Sequence, residues 1–372
     1  MDLSLSPSEQ LLQASVRSFV AREAPTEALV ALQETTSGHD ASWTTTMADS
    51  GWLGLLVPTD CGGAGATALD AAVVAEELGR GPVPGPFLCS SIVGTLLLRA
   101  CTPTEERQRL LGGLAVGEVL LAPALLDRRR DWNGLRETDL ALEPGTGALY
   151  VLRGSKAFVP FVDAATHLLV AVRRPSRTGT DLAVLPVAAP GVRRRRLEGF
   201  IGWAYEVELD GVPVEPTAVF TAEAPDAIDR ALDWAHAIVA AYQVGGCQAL
   251  LERSIRYCGE RSQFGQPIGR FQRVQDHVIE ILNALDAARW TTYEALWRID
   301  VGEPARAGAH LAKAVASESH LRCANRAHDV HAAIGLDPAY GLTLHTQLSR
   351  SLYHYLGAPR WHKRRMAEAL GW

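Results

Sequence analysis

The residues best suited to chemistry sit at two junctions between helical stretches. The first is Arg261 to Gln275, RSQFGQPIGRFQRVQ, where Arg, Gln, Phe, Gly and Pro gather at a point where a helix alone needs none of them. A junction that polar and that glycine-rich reads as a place that holds a ligand. The second is His328 to Leu342, HDVHAAIGLDPAYGL, at another helix boundary. The cysteines, Cys61, Cys89, Cys101, Cys247, Cys258 and Cys323, never take the CxxC or CxxxxH spacing of a metal site or redox pair. They are expected to be reduced cytosolic thiols.

Composition narrows the class. A chain of 372 residues exceeds the size at which one core keeps growing, so two or three domains or layers are expected. With 47% apolar and 21% charged residues it is an ordinary globular protein rather than a disordered one. A net charge of −6 argues against nucleic acid as the main partner. The basic runs Arg128 to Arg130 and Arg193 to Arg196 lie among turn residues without interleaved aromatics, so they read as solvated loops. The start, MDLSLSPSEQLLQASVRSFV, fits neither a signal nor a transit peptide, and no apolar run approaches membrane-spanning length. A cytoplasmic protein with no nucleic-acid or membrane partner is the expectation.

The elements that must position the junctions follow from periodicity. Ser6, Pro7, Ser8 and Glu9 form a helix start, after which Leu11, Leu12, Val16, Phe19 and Val20 recur at helical spacing. Gly51 to Thr67 is too rich in Gly and Pro for helix, and LDAAVVAEELGR then reads as an amphipathic helix ended by Gly79. Between Glu118 and Thr217 short β-rich runs such as LYVLRGSKAFV, HLLVAVRR and YEVELDGVPV predict a small antiparallel β domain. Beyond Ala224 the chain is helical again, with one helix ending near Glu260, a long one carrying Phe271, Val274, Val278, Ile281 and Leu285, and a third over about Ala305 to Ala327. Gly245 and Gly246 read as allowing a neighbouring helix to approach closely. A mostly helical α+β chain results, with a helical domain over 1–117, a central antiparallel β domain over 118–220 and a helical bundle domain over 221–372.

Arg261, Gln263, Phe264, Gly265, Pro267, Ile268, Phe271 and Gln272 match an RxQFGxPIxxFQ pattern, and here the chain resembles the acyl-CoA dehydrogenase family. VPTDCGGAG from Val57, EELGRGPVPGPFL from Glu76, GSKAFVPFVDAATHLLVAV from Gly154 and HDVHAAIGL support the resemblance over nearly the whole chain. The resemblance implies FAD, a C-terminal four-helix bundle, and assembly as a dimer or tetramer, homomeric or mixed. It implies that Arg261 and its neighbours hold the FAD pyrophosphate of an adjacent subunit. A guanidinium fork suits phosphate, Gly265 lets backbone come close, and Phe264 can pack on a flat heterocycle. The local alternative is that Arg261 caps its helix and Phe264 is core.

Other correspondences are weaker. The second junction should complete the FAD site, yet Asp329 stands where the family has Gln, and Ala332 and Ala333 where it has two glycines, before Gly335. Asp329 is expected either to receive a ribose hydroxyl or to cap the following turn. The flavin strands correspond to Leu121, Ala122, Pro123 and Ala124, and to Phe158, Val159 and Pro160, all apolar. The family reaction takes an α-proton from an acyl-CoA or other acyl thioester with a Glu base while hydride passes to flavin. The two family positions for that Glu hold Ala235 and Leu356, so His236, Asp337 and His354 are the substitutes, and Asp233 and His236 the substrate-binding candidates. Three readings stay open: a dehydrogenase with an unusual base, a degenerate subunit completing the FAD site of a Glu-bearing partner, or a redirected flavoenzyme on the same fold.

Overall fold

The computed structural model describes residues 4–129, 131–175, 177–198 and 204–372, so the start of the N-terminal segment and Arg130 of the first basic run lie outside the described residues. Helix α1 spans Pro7–Glu23 and opens on a reciprocal cap: Glu9 N donates to Ser6 Oγ at 3.3 Å and Ser6 N donates to the Glu9 carboxylate at 2.5 Å. It buries Val16 and Phe19, while Leu11, expected on the same stripe, is 74% exposed. Then come α2 (Thr26–Leu32), α3 (Ala41–Asp49), α4 (Ala68–Arg80), α5 (Thr95–Arg99) and α6 (Glu105–Ala115).

The middle of the chain forms two sheets. Strands β1 (Leu121–Ala124), β2 (Leu126–Asp127), β3 (Leu142–Pro144), β4 (Tyr150–Pro160), β5 (His167–Val172), β6 (Asp181–Pro186), β7 (Val192–Arg196), β8 (Ala204–Val214) and β9 (Val219–Phe220) follow in order. One sheet runs β1-β5-β6-β9 and the other β2-β4-β8-β7, with β3 also on β4. The pairing between strands is antiparallel, as expected of the central domain, with one parallel pair, β1 and β5. Leu142, Leu152, Val170, Leu185, Val207 and Val212 share the core between them. Lys156 of β4 is fully buried in it, and donates to Asp127 Oδ1 at 2.6 Å and Thr138 Oγ1 at 2.8 Å. A buried charge held this way is costly to leave unpaired.

Arg193 to Arg196 are not a loop. They form edge strand β7 against β8, and Arg193 pairs with Asp210 at 2.9 Å, Arg194 with Asp163 and Arg195 with Glu206. Acids on β8 and Asp163 thus offset three of the four charges, while Arg196 donates to the Thr35 and Thr36 carbonyls, and charge on an edge strand discourages further strand addition.

Helix α7 (Ala227–Glu260) is unbroken over 34 residues. A short hairpin of β10 (Ser262–Gln263) and β11 (Gln266–Pro267) leads to α8 (Gln272–Asp300), α9 (Arg306–His331), α10 (Leu342–His354) and α11 (Pro359–Ala369). Helix α9 packs against α8, α10 and α11 within the expected C-terminal helical region, which runs from α7 to α11. The described residues fall into two compact units, one within Met1–Glu34, Ala68–Val83 and His236–Trp372, the other within Thr35–Thr67 and Pro84–Ala235. None of the described helices is long and apolar enough to cross a membrane.

Gly79 lies one residue before the end of α4, close to the expected stop, and α7 passes directly against it. A Cβ on Gly79 would stand 1.9 Å from Tyr242 O, and one on Gly245 1.8 Å from Glu76 O. Gly246, on the next position, leaves room for the His320 ring, whose Nε2 would be 2.4 Å from an added Cβ. The expected close approach at Gly245 and Gly246 is therefore present on two sides of α7. Because the obstruction at Gly245 is a backbone carbonyl, Gly245→Ala should destabilise the protein by about 3 kcal/mol in denaturant unfolding. Gly259→Ala, in the same helix with open space around its Cβ, should be neutral or stabilising by about 1 kcal/mol. Equal effects of the two changes would refute the packing explanation.

Candidate functional site

The first junction is a tight hairpin. Helix α7 closes with Arg261 N donating to Tyr257 O at 2.9 Å, and Ile268 N returns to Arg261 O at 2.8 Å. Between them Phe264 and Gly265 take φ values of 53° and 77°, the consecutive left-handed pair of a two-residue hairpin turn. Gly265 is thus required by backbone conformation, and its Cβ position faces open space. Phe264 has no such tolerance, and a left-handed φ costs a non-glycine residue about 1 kcal/mol. It is nevertheless 92% exposed at the tip, touching Phe271 edge-on at 6.1 Å between centroids. Phe264 is not core. Arg261, Gln263 and Gln272 are exposed beside it, and among the described residues the Arg261 guanidinium has no ion pair or hydrogen bond, so it does not cap its helix.

The second junction is differently built. Helix α9 ends on Ala332 at φ 51°, ψ −136°, a conformation suited to glycine, with Ala333 exposed after it. Asp329 is exposed, and its carboxylate meets Arg326 at 2.8 Å and His277 at 3.7 Å rather than capping the following turn. Gly335 is buried, and a Cβ there would lie 2.9 Å from Leu342 and 3.0 Å from His328, so its role is packing. Arg253 donates to Tyr340 O and lies over the Tyr340 ring, 5.0 Å from its centroid, while His331 stacks on Tyr257 at 4.6 Å. These contacts fasten the junction to α7.

The apolar flavin-strand positions divide. Leu121, Ala122 and Ala124 are wholly buried in β1, and Leu121 N is taken by Ser90 Oγ at 2.8 Å, so they serve the core and present no side chain to a ligand. Val159 is also core. Phe158 is different: a register shift in β4 turns it outward at φ 54° and 49% exposure, beside half-buried Pro160.

Neither base position offers a carboxylate. Ala235 and Leu356 are buried at 1% and 4% exposure, the latter at φ 57°. Asp337 caps a short turn by accepting from Ala339 N at 3.0 Å, and His354 lies exposed at the end of α10 against Tyr353. Asp233 is buried at 7% exposure rather than presented to substrate. His236 is buried against His310 and His362, and its pKa is lowered well below the ordinary value, first by burial and then by those two rings and Lys313, with the Leu356 backbone acting weakly in the opposite direction. A general base works best with a pKa near the operating pH. At 1% exposure, His236 has no open ring edge to present to a substrate.

Two groups that the sequence reading missed lie in the same helical unit. Lys313 is fully buried with burial holding its pKa down to about 7, donating to Ser317 Oγ at 2.8 Å and Leu352 O at 2.9 Å. A cavity of about 380 Å³ is lined by Arg17, Glu76, Glu77, Arg80, Gln248 and Tyr293 among others. Its charges satisfy one another: Arg17 meets Glu77 at 2.6 Å, Tyr293 donates to Glu76 at 2.8 Å, and Arg80 meets Glu252 at 2.5 Å. No short-range spacing announced either feature.

Residues 6–118 match the model of the acyl-CoA dehydrogenase N-terminal domain and residues 226–371 that of the acyl-CoA dehydrogenase C-terminal domain. The chain belongs to the acyl-CoA dehydrogenase family. It is similar to the 3-(aryl)acrylate reductase of Clostridium sporogenes, with 29% identity covering 78% of this chain and 79% of the relative. It is also similar to the acyl-CoA dehydrogenase IpdE2 of Mycobacterium tuberculosis, with 26% identity covering 96% and 95%. Among solved structures, the ChsE4–ChsE5 complex from Mycobacterium tuberculosis superposes with a TM-score of 0.88 at 25% identity, covering 100% of this chain and 99% of that one. The protein is an FAD-dependent acyl-CoA dehydrogenase-like flavoprotein, in the class of oxidoreductases that act on CH–CH bonds. Acyl-CoA substrates and oligomeric assembly belong to this class.

The buried histidines make a stability prediction. His320 has its pKa lowered to about 3 by burial, and His236, His345 and His362 are lowered as well. Native rings stay neutral while unfolded ones take up protons near pH 6.5, so the unfolded state binds more protons and stability falls as pH drops from about 6.5 toward 3, by up to about 1.4 kcal/mol per pH unit per ring. His320→Gln should lessen that slope in denaturant melts across this range. An unchanged slope would show that His320 is protonated in the native state.

Proposed function

We propose that this chain is the subunit that completes the FAD site of a Glu-bearing partner in a mixed dimer or tetramer, the partner carrying the dehydrogenation of an acyl-CoA or other acyl thioester. The observation that carries this reading is the contrast between two places in the chain. The base positions hold buried, apolar Ala235 and Leu356, whereas the 261–265 hairpin presents an exposed guanidinium and an exposed aromatic ring.

The hairpin fits FAD chemically. Arg261 would meet the pyrophosphate oxygens as a planar fork, Phe264 would cover a flat ring, and Gln263, Gly265 and Gln272 would supply neighbouring polar and backbone groups. Bound FAD supplies the hydride acceptor for the reaction. The second junction fits less well, since Asp329 brings negative charge and Ala332 and Ala333 bring methyl groups where phosphate and backbone would meet. Phe158 and Pro160 remain available to an apolar face, while the β1 residues do not.

Assembly is supported from two directions. Ile279, Leu282 and Trp290 are exposed by 52%, 41% and 55% at spacings that place them along one face of α8, which suits a protein partner better than water. The similarity to the ChsE4–ChsE5 complex supports a two-component assembly.

The chain purified alone should show weak or no bleaching by a saturated acyl-CoA, while co-purification with a Glu-bearing family member should restore bleaching. In that mixed assembly Arg261→Ala should weaken FAD retention by about 10- to 100-fold, the range for losing a charge-assisted hydrogen bond. Complete bleaching by the chain alone would overturn the proposal, and unchanged flavin content in Arg261→Ala would remove the role assigned to the hairpin.

A further inference from the structure

Three buried histidines from three different helices meet inside the helical unit. His236 of α7, His310 of α9 and His362 of α11 are exposed by only 1%, 1% and 0%. One ring nitrogen from each lies within 4.8 Å of the other two. His310 Nδ1 and His362 Nδ1 are 2.9 Å apart, a spacing that neutral rings satisfy with one N–H donor and one acceptor. His236 faces both rings, at centroid distances of 5.1 and 4.7 Å, yet its nitrogens make no hydrogen bond of good geometry, and only the Leu356 backbone acts weakly on it. Leaving such a group unsatisfied costs about 1–3 kcal/mol, and a native structure that does so calls for a ligand or ion that satisfies it.

We propose that His236, His310 and His362 form a binding site for a single divalent d-block cation of the zinc type. The donor set decides the class of ion. Three neutral imidazole nitrogens without a carboxylate among them suit Zn²⁺, Co²⁺, Ni²⁺ or Cu²⁺, and do not suit the oxygen-seeking Mg²⁺ or Ca²⁺. In a tetrahedral site with bonds of about 2.0–2.1 Å, ligand nitrogens stand about 3.3 Å apart. The His310–His362 pair would open by a few tenths of an ångström from 2.9 Å, and the widest separation would close by at most about 1.5 Å from 4.8 Å.

Proton bookkeeping is simple. Each ring stays neutral, binding through one nitrogen and keeping its proton on the other, so the His310–His362 hydrogen bond is exchanged for two metal bonds with no net proton released. A water molecule can take the fourth position. Trp361 borders the site at 5.3 Å from His310 and 6.1 Å from His236, giving it an apolar wall. Lys313 directs hydrogen bonds to Ser317 and Leu352. An occupied site would cross-link α7, α9 and α11.

The test uses the full chain without a polyhistidine tag, stripped with EDTA and titrated with Co²⁺ alone, both after folding and during refolding. The expected result is one Co²⁺ per chain with the visible absorption of tetrahedral cobalt, displaced by Zn²⁺ and accompanied by a higher unfolding midpoint. His236→Gln and His362→Gln should each abolish the one-equivalent binding, while His354→Gln, an exposed histidine outside the cluster, should leave it intact. Failure of the wild-type chain to take up one equivalent under either condition would overturn the proposal, whether or not the variants fold. Survival of the binding in folded His236→Gln would overturn it as well. The cluster would then be a hydrogen-bonded imidazole group and nothing more.

Discussion

The backbones of α4 and α7 meet with no side chain between them, and much of the helical unit depends on that contact. Gly79 admits the Tyr242 carbonyl and Gly245 admits that of Glu76, so each helix places a glycine where the other presents backbone. The closeness explains what surrounds it. Tyr242 Oη donates to Val83 O at 2.9 Å, Tyr293 donates to buried Glu76 at 2.8 Å, and Arg17 and Arg80 reach the acids on either side. Glu76 and Glu77, buried at this crossing, need partners for their carboxylates, and these arginines and Tyr293 supply them. Burial raises the Glu76 pKa, and the Tyr293 hydrogen bond and Arg289 act against that rise. With α7 fixed in this way, one stretch of the same helix carries Ala235 and His236, and its far end carries the Arg261 hairpin.

That arrangement also shows which features were legible in the sequence. The start of α1 was readable because a capping box is local, and the hairpin because its residues are contiguous. Gly245 and Gly246 were readable as close-packing positions because small residues interrupt a long apolar helix. Gly79 was readable as a stop, and α4 does end one residue later, but its use as a packing position was hidden behind that signal. Nothing local distinguishes the two uses; the carbonyl of Tyr242 does. The Arg193–Arg196 run misled for a similar reason, because the acids that turn it into a paired edge strand sit on β8 and at Asp163.

The candidate site was legible in part, and the division is physical. Residue types at the base positions, the substituted glycines and the apolar strand positions could all be read directly. Whether those residues face a ligand or the core could not, since Leu121 and Phe158 look alike in sequence and differ completely in exposure. The histidine cluster was invisible for another reason. His236, His310 and His362 come from helices far apart in the chain, and only packing brings their nitrogens within 4.8 Å.

The two junctions carry backbone strain with opposite surroundings. Ala332 keeps a conformation suited to glycine, but Asp329 beside it is already engaged by Arg326 and His277. Phe264 keeps a comparable left-handed conformation, but its ring is open and the neighbouring Arg261 is unengaged among the described residues. Strain together with an exposed aromatic ring brings the isolated chain no stability, since the ring's burial would be worth about 1.5–3 kcal/mol and is not realised within it. Such a hairpin gains only when something outside the chain covers it. A phosphate-bearing flat cofactor, presented by another subunit, has the shape and charge to do so.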